Sequence, residues 1–210
     1  MKLTLLGATG SVGRQLLTQA LTAGHTVTVL VRQPDTLGDL RACVTVVQGD
    51  ATDSAAVARA VAGADAVLST LGHRKGSPKD VLAQGITHTI AAMQQHGVRR
   101  LVVLANTAVS DTGDQPTFGQ RSRQALMGLA AGEINQDHAA LARLIADSGL
   151  DWTIVRAALL SNGPQSGRYQ VGKLDRTTGS RIARADVADF MLTCATQDTF
   201  RQSMPVISQA

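Results

Sequence analysis

A glycine-rich turn between a short apolar strand and a helix constrains this chain more than any other feature. Met1 to Leu6 reads as a strand. Gly7-Ala8-Thr9-Gly10-Ser11-Val12-Gly13 follows, and Leu16, Leu17, Ala20 and Leu21 then recur at helical spacing. Each glycine has a physical task in such a turn. Gly7 lets the chain leave the strand sharply, Gly10 removes a side chain where backbone must approach a ligand, and Gly13 lets the helix pack closely. The first N–H groups of the helix have no intrahelical partner and lie at the positive end of its dipole. Strand, turn and helix in this order grip a dinucleotide pyrophosphate. The spacing here is G-x-x-G-x-x-G rather than G-x-G-x-x-G.

The remaining sequence alternates strand and helix. Strands are expected at Thr26–Val31, Val44–Val47, Ala66–Ser69, Leu101–Ala105 and Trp152–Val155, with Met204–Ile207 adding an edge strand. Helical stretches are expected around Thr36–Arg41, at Asp53–Val61 (capped by Asp53 or Thr52), Asp80–His96, Ile134–Ser148 and Asp186–Thr196, the last capped by Asp186. Gly63, Gly97 and Gly149 end three of them. This alternation predicts an α/β fold: a doubly wound, Rossmann-type parallel sheet with right-handed crossovers. The chain of 210 residues is long enough for one such domain over 1–210. Residues 161–183 break the alternation and are expected to form a small C-terminal substrate lobe. Trp152, Tyr169, Phe118, Phe190 and Phe200 are the only aromatics, so Val, Leu, Ile and Ala must build the core, as suits a buried parallel sheet.

Composition narrows the function classes. The net charge of +4 comes from scattered Lys and Arg with no basic block or interleaved aromatics, so nucleic-acid binding is not indicated. Cys43 and Cys194 lie far apart in apolar runs and read as buried thiols. The five histidines show no metal-ligand spacing, and no metal is expected. No apolar stretch reaches membrane-spanning length, and the start lacks the pattern of a signal peptide. A cytoplasmic protein with a small-molecule partner is expected, its oligomeric state open.

In a doubly wound sheet, ligands bind outside the carboxyl ends of the strands. The loops after the strands are therefore Gly7–Gly13, Arg32–Pro34, Gly49–Asp53, Thr70–Pro78, Asn106–Phe118 and Arg156–Gly167. Gly72–Pro78 and Ser110–Gln120 read as mobile, with His73 solvated. A dinucleotide reader usually ends its second strand on a carboxylate for the ribose 2′-hydroxyl; this chain has Arg32 there. An Arg fork suits a 2′-phosphate, so NADP(H) is expected over NAD(H). Arg14 is placed to help, whereas Asp35 lies beyond a proline. Asp50 is a candidate acceptor for the adenine amino group, with Ala51 presenting backbone to the ring. Thr70-Leu71-Gly72 would run beside the ribose and nicotinamide.

Several blocks together resemble the atypical short-chain dehydrogenase/reductases over nearly the full length. They are the glycine turn, Gly49-Asp50-Ala51, Ser148-Gly149-Leu150-Asp151-Trp152-Thr153-Ile154-Val155-Arg156 and Arg184-Ala185-Asp186-Val187-Ala188. Gly97-Val98 to Thr107-Ala108, and Ser166-Gly167-Arg168-Tyr169, resemble the flavin reductase/biliverdin-IXβ reductase and NmrA-like group in particular. The resemblance implies a Ser after the fifth strand and a Tyr-x-x-x-Lys pair on the next helix. Thr107 fills the Ser position and keeps a hydroxyl. The Tyr and Lys positions fall on Ile134 and His138, so the dyad is absent. Tyr169-Gln170-Val171-Gly172-Lys173 fits the spacing but reads as a strand or hairpin, where the two side chains need not meet.

Thr107 is thus a candidate to orient substrate or carboxamide, and His138 a candidate proton donor, since imidazole titrates near neutrality. Without a strong side-chain acid, ordinary alcohol chemistry is disfavoured. A planar acceptor such as a flavin, quinone or linear tetrapyrrole can take hydride with solvent supplying the proton. Two alternatives stay open: a non-catalytic NADP(H)-sensing regulator of NmrA-like type, and an epimerase or isomerase.

Overall fold

The computed structural model describes residues 1–74, 76–122, 132–197 and 199–210. The described chain contains ten strands. They are β1 (Lys2–Leu6), β2 (Thr26–Val31), β3 (Thr45–Gln48), β4 (Ala66–Ser69), β5 (Arg100–Asn106), β6 (Asp151–Ala157), β7 (Leu159–Ser161), β8 (Tyr169–Gly172), β9 (Arg181–Ala183) and β10 (Val206–Gln209). The helices are α1 (Ser11–Thr22), α2 (Ser54–Val61), α3 (Val81–His96), α4 (Gly132–Ala146) and α5 (Arg184–Thr196), with a 3-10 segment at Pro34–Cys43.

The main sheet has eight strands in the order β3-β2-β1-β4-β5-β6-β10-β8. All neighbours run parallel except β8, which is antiparallel to β10. Strand residues alternate between two apolar layers. Leu3, Leu5, Leu68, Val102 and Val155 face α1 and α5, whereas Leu6, Val67, Leu101, Val103 and Ile154 face α2, α3 and α4. Both faces are covered, which explains why these strands read as continuous apolar runs. Three of the scarce aromatics stack edge-to-face in series: Tyr169 on Phe190 at 5.8 Å and Phe190 on Phe200 at 5.2 Å.

Several expectations require correction. The last strand is not at the edge: β8 folds back outside it, pairing Val206 with Gly172 and Gln209 with Tyr169. Asp186 lies in the first turn of α5 rather than at its cap, which is Ala183. Its carboxylate instead accepts from the Ser166 and Gly167 backbone N–H groups and the Ser166 hydroxyl, tying down the loop before β8. Cys43 is exposed, at the end of the 3-10 segment, while Cys194 is buried and its thiol pushed up to about 11 by burial. The reading of residues 169–173 as a strand or hairpin needs no correction: the Tyr169 hydroxyl donates to Asp189, and Lys173 pairs separately with Asp111. Lys75, in the loop expected to be mobile, lies outside the described residues.

Candidate functional site

The strand order reverses at β1, with β2 on one side and β4 on the other. Loops on either side of such a switch diverge and leave a crevice at the carboxyl edge. The chain has a cavity of about 710 Å³ there, lined by residues from all six loops that follow the first six strands. That volume lies within the range of small-molecule sites.

The glycine turn forms its floor. Gly7 has a φ of +82°, and its amide neighbourhood is so close to the next loop that a Cβ would lie 2.7 Å from the Thr70 carbonyl oxygen. A Cβ on Gly13 would lie 2.1 Å from the Gly7 carbonyl oxygen and 2.7 Å from the Thr70 hydroxyl. The Thr70 hydroxyl itself donates to the Gly7 carbonyl at 3.2 Å. The turn and the β4 loop are thus one packed unit. Helix α1 begins at Gly10 with no side-chain cap and no acidic residue in its first turn. Its leading N–H groups point where an anion can take them.

Of the residues expected at the site, Gly7, Thr9, Gly10, Ser11, Val12, Arg32, Asp50, Ala51, Thr70, Leu71, Gly72, Thr107 and His138 all line the cavity. Ala8 and Gly13 do not. Ala8 is 1% exposed within the core, and Gly13 packs behind the turn. Arg14 is also diverted, donating to the Thr36 carbonyl at 2.6 Å. Asp35 pairs with Arg41.

Asp50 makes an Asx-type turn, accepting from the Thr52 N–H and hydroxyl, both at 2.9 Å. The Thr52 N–H, more than Arg32, holds its carboxyl below the usual range, against the opposing effect of burial. Its second oxygen is 3.7 Å from Arg32, a half-exposed pair of little energetic weight. The Ala51 carbonyl is 3.2 Å from Nδ1 of His88, which fixes the loop against α3.

Three further cavity residues, Arg74, Arg184 and His73, are not expected at the site from sequence: His73 reads as solvated, and Arg184 only as part of a block that carries the resemblance. Arg74 reaches across from the β4 loop to the Thr9 hydroxyl at 3.3 Å. Together with Thr9, Arg32, Gln33 and Thr36 it also lines an adjoining hollow of about 360 Å³. Arg184, at the start of α5, donates to the Ser11 hydroxyl at 3.1 Å and to Asn162 at 2.6 Å. His73 is not solvated: its side chain is 16% exposed and Nε2 lies 2.9 Å from the Asp137 carboxylate, off the line of a straight hydrogen bond. The loop after β4 hinted at His73 and Arg74, whereas Arg184, at the head of α5, is brought to the crevice only by the fold.

The far end of the cavity is different in chemistry. Leu104, Ala105, Ala157, Ala158, Leu159 and Leu160 make an apolar wall, with Thr107 and His138 on one side. His138 is held neutral. Burial, and then the nearby His73, push its pKa down to about 4 against the pull of Asp137. Its Nδ1 is buried without a hydrogen-bond partner. Ile134, one turn earlier on α4 in the Tyr position, is 38% exposed. Among the described residues, no three His, Cys, Asp or Glu side chains are grouped to hold a metal, and no helix is long and apolar enough to cross a membrane.

A glycine cradle that cannot accept side chains, an uncapped helix N-terminus and three arginines around one crevice define a dinucleotide-binding α/β domain. The chain belongs to the NAD(P)H-binding domain family, which it matches over residues 7–198. It is 33% identical over 150 residues to (4-alkanoyl-5-oxo-2,5-dihydrofuran-3-yl)methyl phosphate reductase of Streptomyces griseus, covering 71% of this chain and 45% of the reductase. Other curated relatives are spanned for between 21% and 62% of their length, so the chain covers less than two thirds of each. Two solved structures share the fold. The ChuY anaerobillin reductase of Escherichia coli O157:H7 has a TM-score of 0.79 and 22% identity, covering 100% of this chain and 97% of that one. A short-chain dehydrogenase/reductase of Veillonella parvula, crystallised with NADP, has a TM-score of 0.79 and 19% identity, covering 99% and 94%.

Proposed function

We propose that the chain is an NADPH-dependent reductase that delivers hydride to a planar, conjugated acceptor such as a flavin, quinone or linear tetrapyrrole. The observation that carries this reading is the chemistry of the cavity's far end. An apolar slot adjoins the cofactor cradle, and the positions for Tyr and Lys hold Ile134 and His138. The Tyr–Lys pair that serves alcohol and ketone interconversion is therefore absent, whereas a conjugated acceptor needs mainly a flat apolar surface, close approach and a proton from solvent or another side chain.

The cofactor assignment rests on charge. The pyrophosphate would lie on the N–H groups at Gly10–Val12, with Arg184 beside Ser11. Arg32 and Arg74 flank the hollow into which a ribose 2′-phosphate would fit, which favours NADP(H) over NAD(H). Asp50 would accept from the adenine amino group, and Thr70-Leu71-Gly72 would line the path of the ribose and nicotinamide. When bound, the nicotinamide supplies the hydride. Thr107 orients the carboxamide or the acceptor, and the unpartnered Nδ1 of neutral His138 is available as a hydrogen-bonding group. The turn from β6 into β7, Ala157 to Leu160, would form the wall on the substrate side; residues 161–183, expected as a substrate lobe, contribute no side chain to the cavity lining.

The test is oxidation of NADPH with FMN, menadione, biliverdin or dichloroindophenol as acceptor, beside a direct titration of cofactor binding. Turnover with one or more supports the reading. Tight NADPH binding with no turnover by any acceptor indicates the cofactor-sensing regulator instead.

A further inference from the structure

The loop after β4 delivers a second imidazole to the reacting end of the cavity. His73 lines the cavity beside His138. Its Nε2 rests 2.9 Å from Oδ2 of Asp137. Asp137 is 4% exposed and is itself immobilised. Its two oxygens accept the Leu82 and Ala83 backbone N–H groups, each at 2.9 Å, so it caps α3 from the neighbouring helix α4. Two helices therefore hold a buried carboxylate, and it sits in close ion-pair contact, off the line of a straight hydrogen bond, with one nitrogen of an imidazole. This leaves Nδ1 as the nitrogen free to exchange a proton with a ligand. A carboxylate against the remote nitrogen favours a proton there and orients the ring; a small rotation would straighten the contact into the hydrogen bond that acid–base catalysis uses.

We infer that His73, positioned by Asp137, is the proton donor to the acceptor, and that His138 is not. This rests on the reductase reading above. His138 is held neutral by burial, whereas His73 has a carboxylate against it. The acceptor gains two electrons and one hydrogen nucleus as hydride from NADPH. It gains its second proton from the doubly protonated ring of His73: the Nδ1–H bond breaks, an N–H or O–H bond forms at the far end of the conjugated system, and the ring is left neutral with its proton on Nε2. NADP⁺ and the dihydro-acceptor leave, and neutral His73 recovers its proton from water. The titratable groups against His73 are Asp137 and His138 on α4 and, in its own loop, Arg74.

The test compares wild type, His73→Gln and His73→Ala. His73→Gln is expected to bind NADPH within about threefold of wild type and to keep KM for the acceptor. Its kcat should fall about 100-fold or more, the scale of a general acid. Exogenous imidazole should restore part of the His73→Ala rate and none of the His73→Gln rate. Nitrogen-15 NMR of histidine-labelled protein without cofactor gives an independent readout, in which neutral His73 should carry its proton on Nε2. A His73→Gln kcat within threefold of an active wild type overturns the proposal, as does a neutral Nδ1–H tautomer. Loss of NADPH binding in His73→Gln also overturns it, by making His73 a cofactor ligand. A wild type inactive with every acceptor overturns the reductase reading and this step with it, and is told apart because the wild type itself is silent.

Discussion

At the scale of single residues, contact distances separate side chains that shape the cradle from those that read the ligand. Gly13 is silent toward the cavity, yet a Cβ there would collide with the Gly7 carbonyl. Gly13→Ala should lower stability by roughly 1–3 kcal/mol, the usual range for overpacking, and abolish NADPH binding; Gly10→Ala, whose nearest protein contact would be 3.2 Å, should cost less stability yet still weaken NADPH, because its side chain would stand where the pyrophosphate approaches. Chemical denaturation and a cofactor titration check this. Arg32 is the opposite case: among the described residues its side chain makes only a weak pair with Asp50. Arg32→Ala should leave stability unchanged, weaken NADPH about tenfold or more and spare NADH, because a charge-assisted contact is worth roughly 1.5–3 kcal/mol. Unchanged NADPH affinity would remove the 2′-phosphate assignment. His138 gives a pH dependence. Its folded value of about 4 lies below the ordinary value near 6.5, so the unfolded chain binds a proton that the native chain refuses. Stability is full above pH 6.5 and is lost as pH falls toward 4. At pH 5 this loss is about 2 kcal/mol. His138→Gln should therefore lose about 2 kcal/mol less than wild type between pH 7.5 and 5. Parallel urea midpoints in the two proteins would count against it.

At the scale of elements, local signals were legible and pairing partners were not. Asp53 was readable as a cap because capping needs only a short polar side chain at the right step. It accepts from Ala55 and Ala56 at 3.0 and 3.2 Å, and Asp53→Ala should reduce stability by about 1 kcal/mol in thermal or urea unfolding. Gly97, with φ of +69°, ends α3 as its sequence position implied. The place of β10 was not readable, because edge or interior is decided by whether another strand returns beside it. The returning strand β8 reads as a strand or hairpin, but its four alternating half-buried and exposed residues do not say which strand it pairs with. Asp186 shows the same limit. A carboxylate at the head of a helical run looks like a cap, but its hydrogen bonds go twenty residues back to Ser166 and Gly167.

Across the whole molecule, the site is assembled at one sheet edge from segments remote in sequence. The glycine turn was legible because strand, turn and helix are contiguous. Arg74, Arg184 and His73 were not, since each is an ordinary polar residue until the β1–β4 switch brings its loop over the same crevice. Convergence also changes the physics. Arg32, Arg74 and Arg184 each keep most of their charge in solvent-facing positions, but together they raise the potential over one cavity on a chain of net charge +4. A cofactor with a 2′-phosphate feels that field more than one without. NADPH affinity should therefore fall more steeply than NADH affinity as ionic strength rises, because exposed charges are screened over about 8–10 Å at 0.1–0.15 M salt. Titrations of both cofactors between low and high salt test this directly. In wild type the preference for NADPH should narrow with salt. In Arg32→Ala the two slopes should draw closer without meeting, since Arg74 still flanks the 2′-phosphate hollow while Arg184 serves the pyrophosphate that both cofactors share. Equal slopes in wild type would mean that the arginines act on the common phosphates alone, and that the 2′ position is read by shape rather than charge.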